Sequence, residues 1–587
     1  MAYSTDNHDT QSIRTEFTAQ NYHTMGNDET EQENSRARKL ARIKLRGFYN
    51  VDEGIEYIGI GKYHYIWMLL YGVSSMTQAV EVTLSSVILS ELACYWNLTL
   101  LEQVLIPSLV LVAAIPGDYV GGWLGDIYGR KPILIIGQLI IAVFGVISAF
   151  CTTYISFLLV RCMVGFGFGM VTMLVIVQVA ELCPTAYRAS AVSVTFIMWA
   201  VGDCYIVFGA WLLQAKYGWQ AVVLWAAIPC VLLCFVLPFA DESPKFLAIS
   251  NQQGKAQVIL HKIAACNKVD MCPGDLEGVE ETRRGKVADM FQPEYIRTTI
   301  CLIVAMFMAN YLYMGNIFDS PYLLDTGYCF GDVPSEDSCI FTDEELEYTL
   351  IICLGEFVSV PLFAVLSELL GRIRAANILT ACLLVIIITC CFCFGETVLI
   401  IELFVTRAFS NASLLLLYIY TPESYPTYMR SIGFGVVMLF CNMGGVCAVF
   451  TVYMVGLSIS WAYMFWMFIA AAVVLTITTL FFDVETVGKR LSDNRADSST
   501  PIRWHRGGEE GVVKGSEEVE KGSTRGSRAD EESQRGGEGS QRGGEGSGRG
   551  GEGSGRGGED ENQPGPHQGT GEASPEDGDQ IELVKKD

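Results

Sequence analysis

Charged residues make up only 18 % of this 587-residue chain, and histidine occurs six times. It has no phosphate-binding GxxxxGK[ST] loop, no HExxH pair, no paired CxxC and no GxSxG elbow. Each of those motifs places a nucleophile, a metal or a phosphate cradle, so their absence leaves no enzyme constellation to argue from, and the chain reads as a non-enzyme without a metal or cofactor. The first 40 residues are polar and acidic, unlike a cleaved signal, so insertion into a membrane would rely on the first apolar span. The formal charge of −24 offers no basic surface for nucleic acid. It is concentrated in the two tails and a few loops, and so says little about the fold. Nineteen cysteines would signal a disulfide scaffold in a short secreted chain; here most lie inside apolar runs such as TCCFCF at 389–394, where they pack as small residues.

What the chain has in abundance is apolar sequence. Hydrophobic residues reach 51 %, far more than one soluble core needs. Runs long enough to cross about 30 Å of hydrocarbon fall near 65–91, 103–124, 133–151, 155–180, 189–213, 219–240, 297–319, 347–369, 376–395, 398–421, 431–455 and 460–482. These twelve spans predict an all-α membrane protein.

The spans form two sets of six. GWLGDIYGRK (122–131) recurs in worn form as AVLSELLGRI (364–373), so that Asp126 and Glu368, Gly129 and Gly371, and Arg130 and Arg372 are each 242 residues apart. ELCPTAYR and ESYPTYMR keep that interval, pairing Glu181 with Glu423 and Arg188 with Arg430; Glu242 and Glu485 are one residue further apart. Ordered matches at one offset indicate a duplicated membrane unit. Five segments follow: a polar N-terminus at 1–50 ending in a basic run, a first half at 51–240, a charged linker with surface helices at 241–296, a second half at 297–482, and a tail at 483–587. The tail carries four Gly-rich heptads (533–560) without an apolar residue, which makes it a solvated tether, not a coiled coil; its partners, if any, are unknown.

Basic residues cluster after even-numbered spans (Arg130, Lys131, Arg188, Arg372, Arg430), which by the positive-inside rule places both termini in the cytoplasm. Asn97-Leu98-Thr99 then lies outside, open to glycosylation, whereas Asn411-Ala412-Ser413 is hidden in span 10. The acidic outward loop at 320–346 holds Cys329 and Cys339, a candidate local disulfide.

GWLGDIYGRK resembles the loop between helices 2 and 3 of the major facilitator superfamily, and the two E-x6-R elements resemble the ends of its helices 4 and 10. VDEGIEYIGIGKYHY, RCMVGFGFG and RAFSNASLLLLYIYTPESYPTYMR resemble the synaptic vesicle 2-related group within it, with similarity also to organic cation and anion transporters. The resemblance covers about 51–491 and implies a two-half carrier in a vesicle or plasma membrane. It also implies an inner gate built from Gly122, Asp126, Gly129, Arg130, Lys131, Glu181 and Arg188, and from Glu368, Gly371, Arg372, Glu423 and Arg430. Ile127 and Ile373 stand where the superfamily has basic residues, which predicts a weaker second latch.

Charges inside spans each cost about 2.5–3.5 kcal/mol at a span's centre and need a partner, water or a task. Five stand out: Glu81, Arg161, Asp203, Glu356 and Arg407. Arg161 and Arg407, near the outward ends, either snorkel or tie helices together. Asp203 has no counterpart in the resembled group, and Gln78 stands where that group has an acid. If the five converge on one cavity, the surplus of acids favours a cationic or zwitterionic organic solute, with Trp199, Tyr205, Tyr311 and Tyr418 as aromatic faces. A carboxyl in apolar surroundings prefers its neutral form, so proton uptake at Glu81 or Glu356 is the coupling the residues allow. The expected function is alternating-access transport of a small organic ion; the alternative is a non-transporting vesicle receptor or scaffold with a transporter fold, able to bind a nucleotide. Gly165, Gly167 and Gly169 form no dinucleotide fingerprint, since no strand precedes them; they predict close helix packing.

Overall fold

The computed structural model describes residues 43, 46–184, 187–271, 273–277, 286–325, 340–392, 394–426, 429–483 and 485–486. The heptads and the pair Cys329 and Cys339 lie outside them. Among the described cysteines only Cys94 is disulfide-bonded, and the others are free thiols, mostly buried or half-buried in the helices.

Twelve helices are long and apolar enough to span a membrane. The first half comprises α2 (Lys62–Trp96), α3 (Leu100–Tyr128), α4 (Arg130–Ser148), α5 (Tyr154–Leu182), α6 (Arg188–Tyr217) and α7 (Trp219–Val236). The second comprises α10 (Ile296–Asp325), one span made of α11 (Asp343–Cys353) and α12 (Gly355–Leu370), then α13 (Arg372–Thr389), α14 (Glu396–Glu423), α15 (Arg430–Phe450) and α16 (Trp461–Leu480). A π-helical turn, Thr451–Leu457, continues α15. The predicted spans fall on these helices, most of which run a few residues longer.

Glycine decides how closely the helices approach. A Cβ at Gly165 or Gly169 of α5 would collide with the carbonyl oxygens of Val110 and Ala114 in α3, and one at Gly117 of α3 with that of Phe166. The three glycines thus let two backbones touch, which supplies the dispersion contact that association in lipid relies on. The halves meet along α3 and α15, along α6 with α11 and α12, and along α2 and α10. Large apolar side chains such as Phe150, Phe235, Phe239 and Trp466 cover the outer surface.

One end of the bundle, here the terminal side, carries an ordered collar; the opposite end is the far side. The collar contains β1 (Phe48–Tyr49), α1 (Val51–Ile58), α8 (Pro244–Ile249), α9 (Gln253–Asn267) and β2 (Asp275–Leu276). Asn50 caps α1 through the Glu53 amide, and β1 pairs in parallel with β2. Asn267 accepts from the Tyr63 amide at 3.0 Å, tying the linker to the start of α2.

Candidate functional site

Two groups of buried charge lie in the far-side part of the bundle. In the first, Arg161 of α5 donates to Glu81 of α2 at 2.5 Å, and also to the Glu81 carbonyl (3.1 Å) and Ser85 Oγ (3.2 Å). In the second, Arg407 of α14 donates through Nε to Glu356 of α12 (2.7 Å) and through Nη2 to Asp203 of α6 (2.8 Å). Thr83 Oγ1 donates to the other Asp203 oxygen at 2.6 Å. Tyr313 of α10 donates its hydroxyl to Glu356 at 2.8 Å and lays its ring under the guanidinium, 5.6 Å away. All five charged side chains are at most 1 % exposed. Withdrawing such ions from water costs several kcal/mol each, offset here by the opposite charge each one meets, although Arg161 Nε and Glu356 Oε2 have no hydrogen-bond partner among the described residues.

The structure decides between the readings that the sequence left open: both arginines tie helices together. Neither arginine snorkels, and the five charges do not share one cavity: Glu81 and Arg161 pair inside the first half, whereas Asp203 joins Glu356 and Arg407 across the interface between halves. Tyr205 and Tyr311 are packing residues as well. Tyr205 stacks on Trp225 at 4.9 Å, and Tyr311 bonds Thr451 and meets the edge of Phe468.

The cavity between the halves lies nearer the terminal side and measures about 30 Å³. Gln78, Thr172, Trp199, Asn310, Tyr418 and Asn442 contribute its polar and aromatic lining. Trp199, four residues before Asp203, puts the cavity one helical turn, about 6 Å, from the charged triad. Phe196 and Tyr418, from opposite halves, stack at 5.5 Å and 24°. Thr172 donates to Gln78 Oε1 (2.8 Å), so Gln78 forms a neutral hydrogen-bonding wall. Asn442 donates to Asp118 of α3 at 2.5 Å, a second polar tie between the halves.

On the terminal side the two repeats use the same device. Glu242 accepts from the amides of Arg130 (3.1 Å) and Lys131 (3.2 Å), and Glu485 from those of Arg372 (2.8 Å) and Ile373 (3.2 Å), so each carboxylate caps the helix that follows the GR step. Gly129 (φ 111°) and Gly371 (φ 89°) take left-handed conformations, with the capping carboxylates where a Cβ would go. Burial pushes the Glu242 carboxyl up, against the pull of the amides and Arg130. Gly122 is no turn residue: it lies within α3 facing open space.

Glu181 pairs with Arg130 (3.3 Å), which also holds Asp126 (2.6 Å), and not with Arg188. Arg188 reaches Asp52 of α1 (3.0 Å), a residue that Lys245 of α8 also holds. Burial favours the neutral Asp52 carboxyl, but the two cations outweigh it and hold the group below its usual range. In the second half the one acidic side chain paired with the Arg372 guanidinium among the described residues is Glu423, at 3.5 Å, while Glu368 is exposed. Arg430 opens α15. Asn97 is exposed in the left-handed conformation that ends α2, and its sequon partner Thr99 is engaged in a capping box with Glu102. Asn411 is buried and bonded to Ser359.

Sequence reasoning passed over Asp118, Asp319, Asn442, Tyr313 and Thr83. Asp118 lay within a predicted span and met the charge criterion but was not singled out; Asp319 sat at the edge of its predicted span, yet α10 runs on to Asp325. The neutral partners gave no signal.

Two six-span halves around a central cavity, with buried charge bridging them, define a secondary transporter of the major facilitator type, a multi-pass integral membrane protein. Residues 71–496 match the family described as Sugar (and other) transporter, and the chain belongs to that family. It is similar to the synaptic vesicle 2-related protein of Pongo abelii (29 % identical over 462 residues, 76 % of this chain and 83 % of that one). Its counterpart in Xenopus laevis is also 29 % identical, over 465 residues with the same coverage. The fold is similar to that of the proton:xylose symporter XylE, with a TM-score of 0.58 at 18 % identity over 74 % of this chain and 99 % of XylE.

Proposed function

We propose that the protein carries a small organic ion by alternating access with proton coupling, and that Asp203, Arg407 and Glu356 form the lock on the far side of the cavity. The observation that carries this reading is the 2.8 Å bond between Arg407 and Asp203, which belong to opposite halves and are 1 % and 0 % exposed. A static interface has no need of it, since apolar residues of equal volume would hold the halves as well or better. A bond made and broken as the halves rock does need two groups that can part. Two carboxylates around one guanidinium leave one surplus negative charge; a proton on either cancels it and weakens the hold on Arg407.

The cavity lining contains aromatic rings, amides and hydroxyls but no basic side chain. That favours a cation or zwitterion over an anion. The basic residues of the terminal side support a cytoplasmic location for both termini, and similarity to synaptic vesicle 2-related proteins supports a vesicle membrane, with the plasma membrane as the other site. In proteoliposomes, saturable counterflow of an organic cation should respond to an imposed pH gradient, and Asp203→Asn or Glu356→Gln should lose that response. Unchanged coupling in both rejects the proton step, and binding without uptake makes the protein a receptor.

A further inference from the structure

Asp118 is a half-buried residue whose carboxylate the lock does not use. One oxygen accepts from Asn442 at 2.5 Å; the other, Oδ1, is closed to solvent and has no hydrogen-bond partner among the described residues. Glu81, Asp203 and Glu356 are each held by an arginine, whereas no described Lys, Arg or His reaches Asp118. A neutral amide offsets only part of what it costs to hold such a charge out of water.

Asn442 lies between this carboxylate and the cavity, because it lines the cavity on one side and bonds Asp118 on the other. Around the same cavity stand the rings of Phe168, Phe196, Tyr418 and Trp199, and Trp199 Nε1 also has no hydrogen-bond partner among the described residues. We infer that Asp118 is the recognition group for an amine-bearing organic cation, whose ammonium N–H displaces the Asn442 amide while its charge rests against the aromatic faces. The inference rests on the cavity being the solute site. A volume of about 30 Å³ holds a water or two and no organic amine, so the solute enters only as the halves separate. Displacing Asn442 removes a bond between α3 and α15, so binding itself favours that separation. A quaternary ammonium has no N–H to give, an alcohol has no charge, and a carboxylate is repelled.

The test is thermal denaturation of the full chain in lipid nanodiscs, titrated with 2-phenylethylamine, phenyltrimethylammonium, 2-phenylethanol and phenylacetate. The amine should stabilise saturably, with at least about tenfold higher affinity than the other three. Asp118→Asn should abolish the preference of amine over alcohol. Asn442→Ala, which removes the internal competitor, should tighten amine binding several-fold and decides the matter should Asp118→Asn fail to fold. An amine that binds no better than 2-phenylethanol, a preference that survives Asp118→Asn, or weaker amine binding in Asn442→Ala overturns the assignment. Counterflow of another solute without amine preference overturns this assignment and leaves the transport reading intact; amine binding without any uptake does the reverse.

Discussion

Replacing Asp203 by Asn keeps the shape of the lock and removes one charge from it. A hydrogen bond to a charged group contributes about 1.5–3 kcal/mol, and Arg407 keeps Glu356 at 2.7 Å, so the variant should fold. The loss falls on the bond between halves, and on that scale the balance between closed and open far side shifts about 10- to 150-fold. Arg407→Gln is predicted to be worse, by about 3–5 kcal/mol, because it strands two carboxylates in a buried site. Adding Asp203→Asn to Arg407→Gln should recover part of that loss, a non-additivity that a double-mutant cycle reads directly. Hydrogen exchange measured by mass spectrometry localises the effect. In Asp203→Asn, amides in the far-side turns of α6 and α14 should exchange at least about tenfold faster, with little change where α3 and α5 press together through Gly165 and Gly169. Unchanged exchange, or an even rise over the whole chain, would show that the triad is ordinary interior packing.

Further outcomes follow from the terminal side. Gly129→Ala forces a side chain into a left-handed conformation and into Glu242, and should cost at least about 1–2 kcal/mol by thermal melting in detergent, whereas Gly122→Ala faces open space and should stay within about 0.5 kcal/mol; equal losses refute the turn assignment. Arg130→Ala should slow counterflow more than Arg372→Ala, since Arg130 holds two carboxylates and Arg372 one; the reverse order refutes the asymmetry. Asp52, held below its ordinary value of 3.8 by Lys245 and Arg188, contributes stability that is present above that value and lost as pH falls through the lower folded one. Because its side chain is 58 % exposed, the loss should stay below about 1 kcal/mol. Between about pH 5 and pH 2 the wild type should therefore lose slightly more stability than Asp52→Asn, and parallel curves count against the clamp.

The twelve spans and their duplication were legible because lipid imposes a strong signal: apolar length, and repeated landmarks at one interval. Glu242 and Glu485 show the limit of that signal. Their repeat was visible, but their task of capping the helix after each GR step was not, since the capped amides carry no sequence mark. Charged residues in spans stood out for the same reason as the spans, yet their partners could not be read. Arg407 reaches Asp203 over 204 positions and two halves, a pairing set by how the halves meet and not by local periodicity. Arg188 lies near Glu181 in sequence, but its partner is Asp52, brought there by a collar helix that the span pattern does not dock. The triad's neutral members, Thr83 and Tyr313, look like any span residue until the fold places them.

The claim that everything else serves is that the two halves move a solute between them. Purified protein in liposomes preloaded with an unlabelled organic cation and diluted into trace labelled cation tests it directly. Label should accumulate transiently above equilibrium, saturate with concentration, and be strongly reduced in Arg407→Gln. Label that merely binds, with no accumulation in native or variant vesicles, would contradict it.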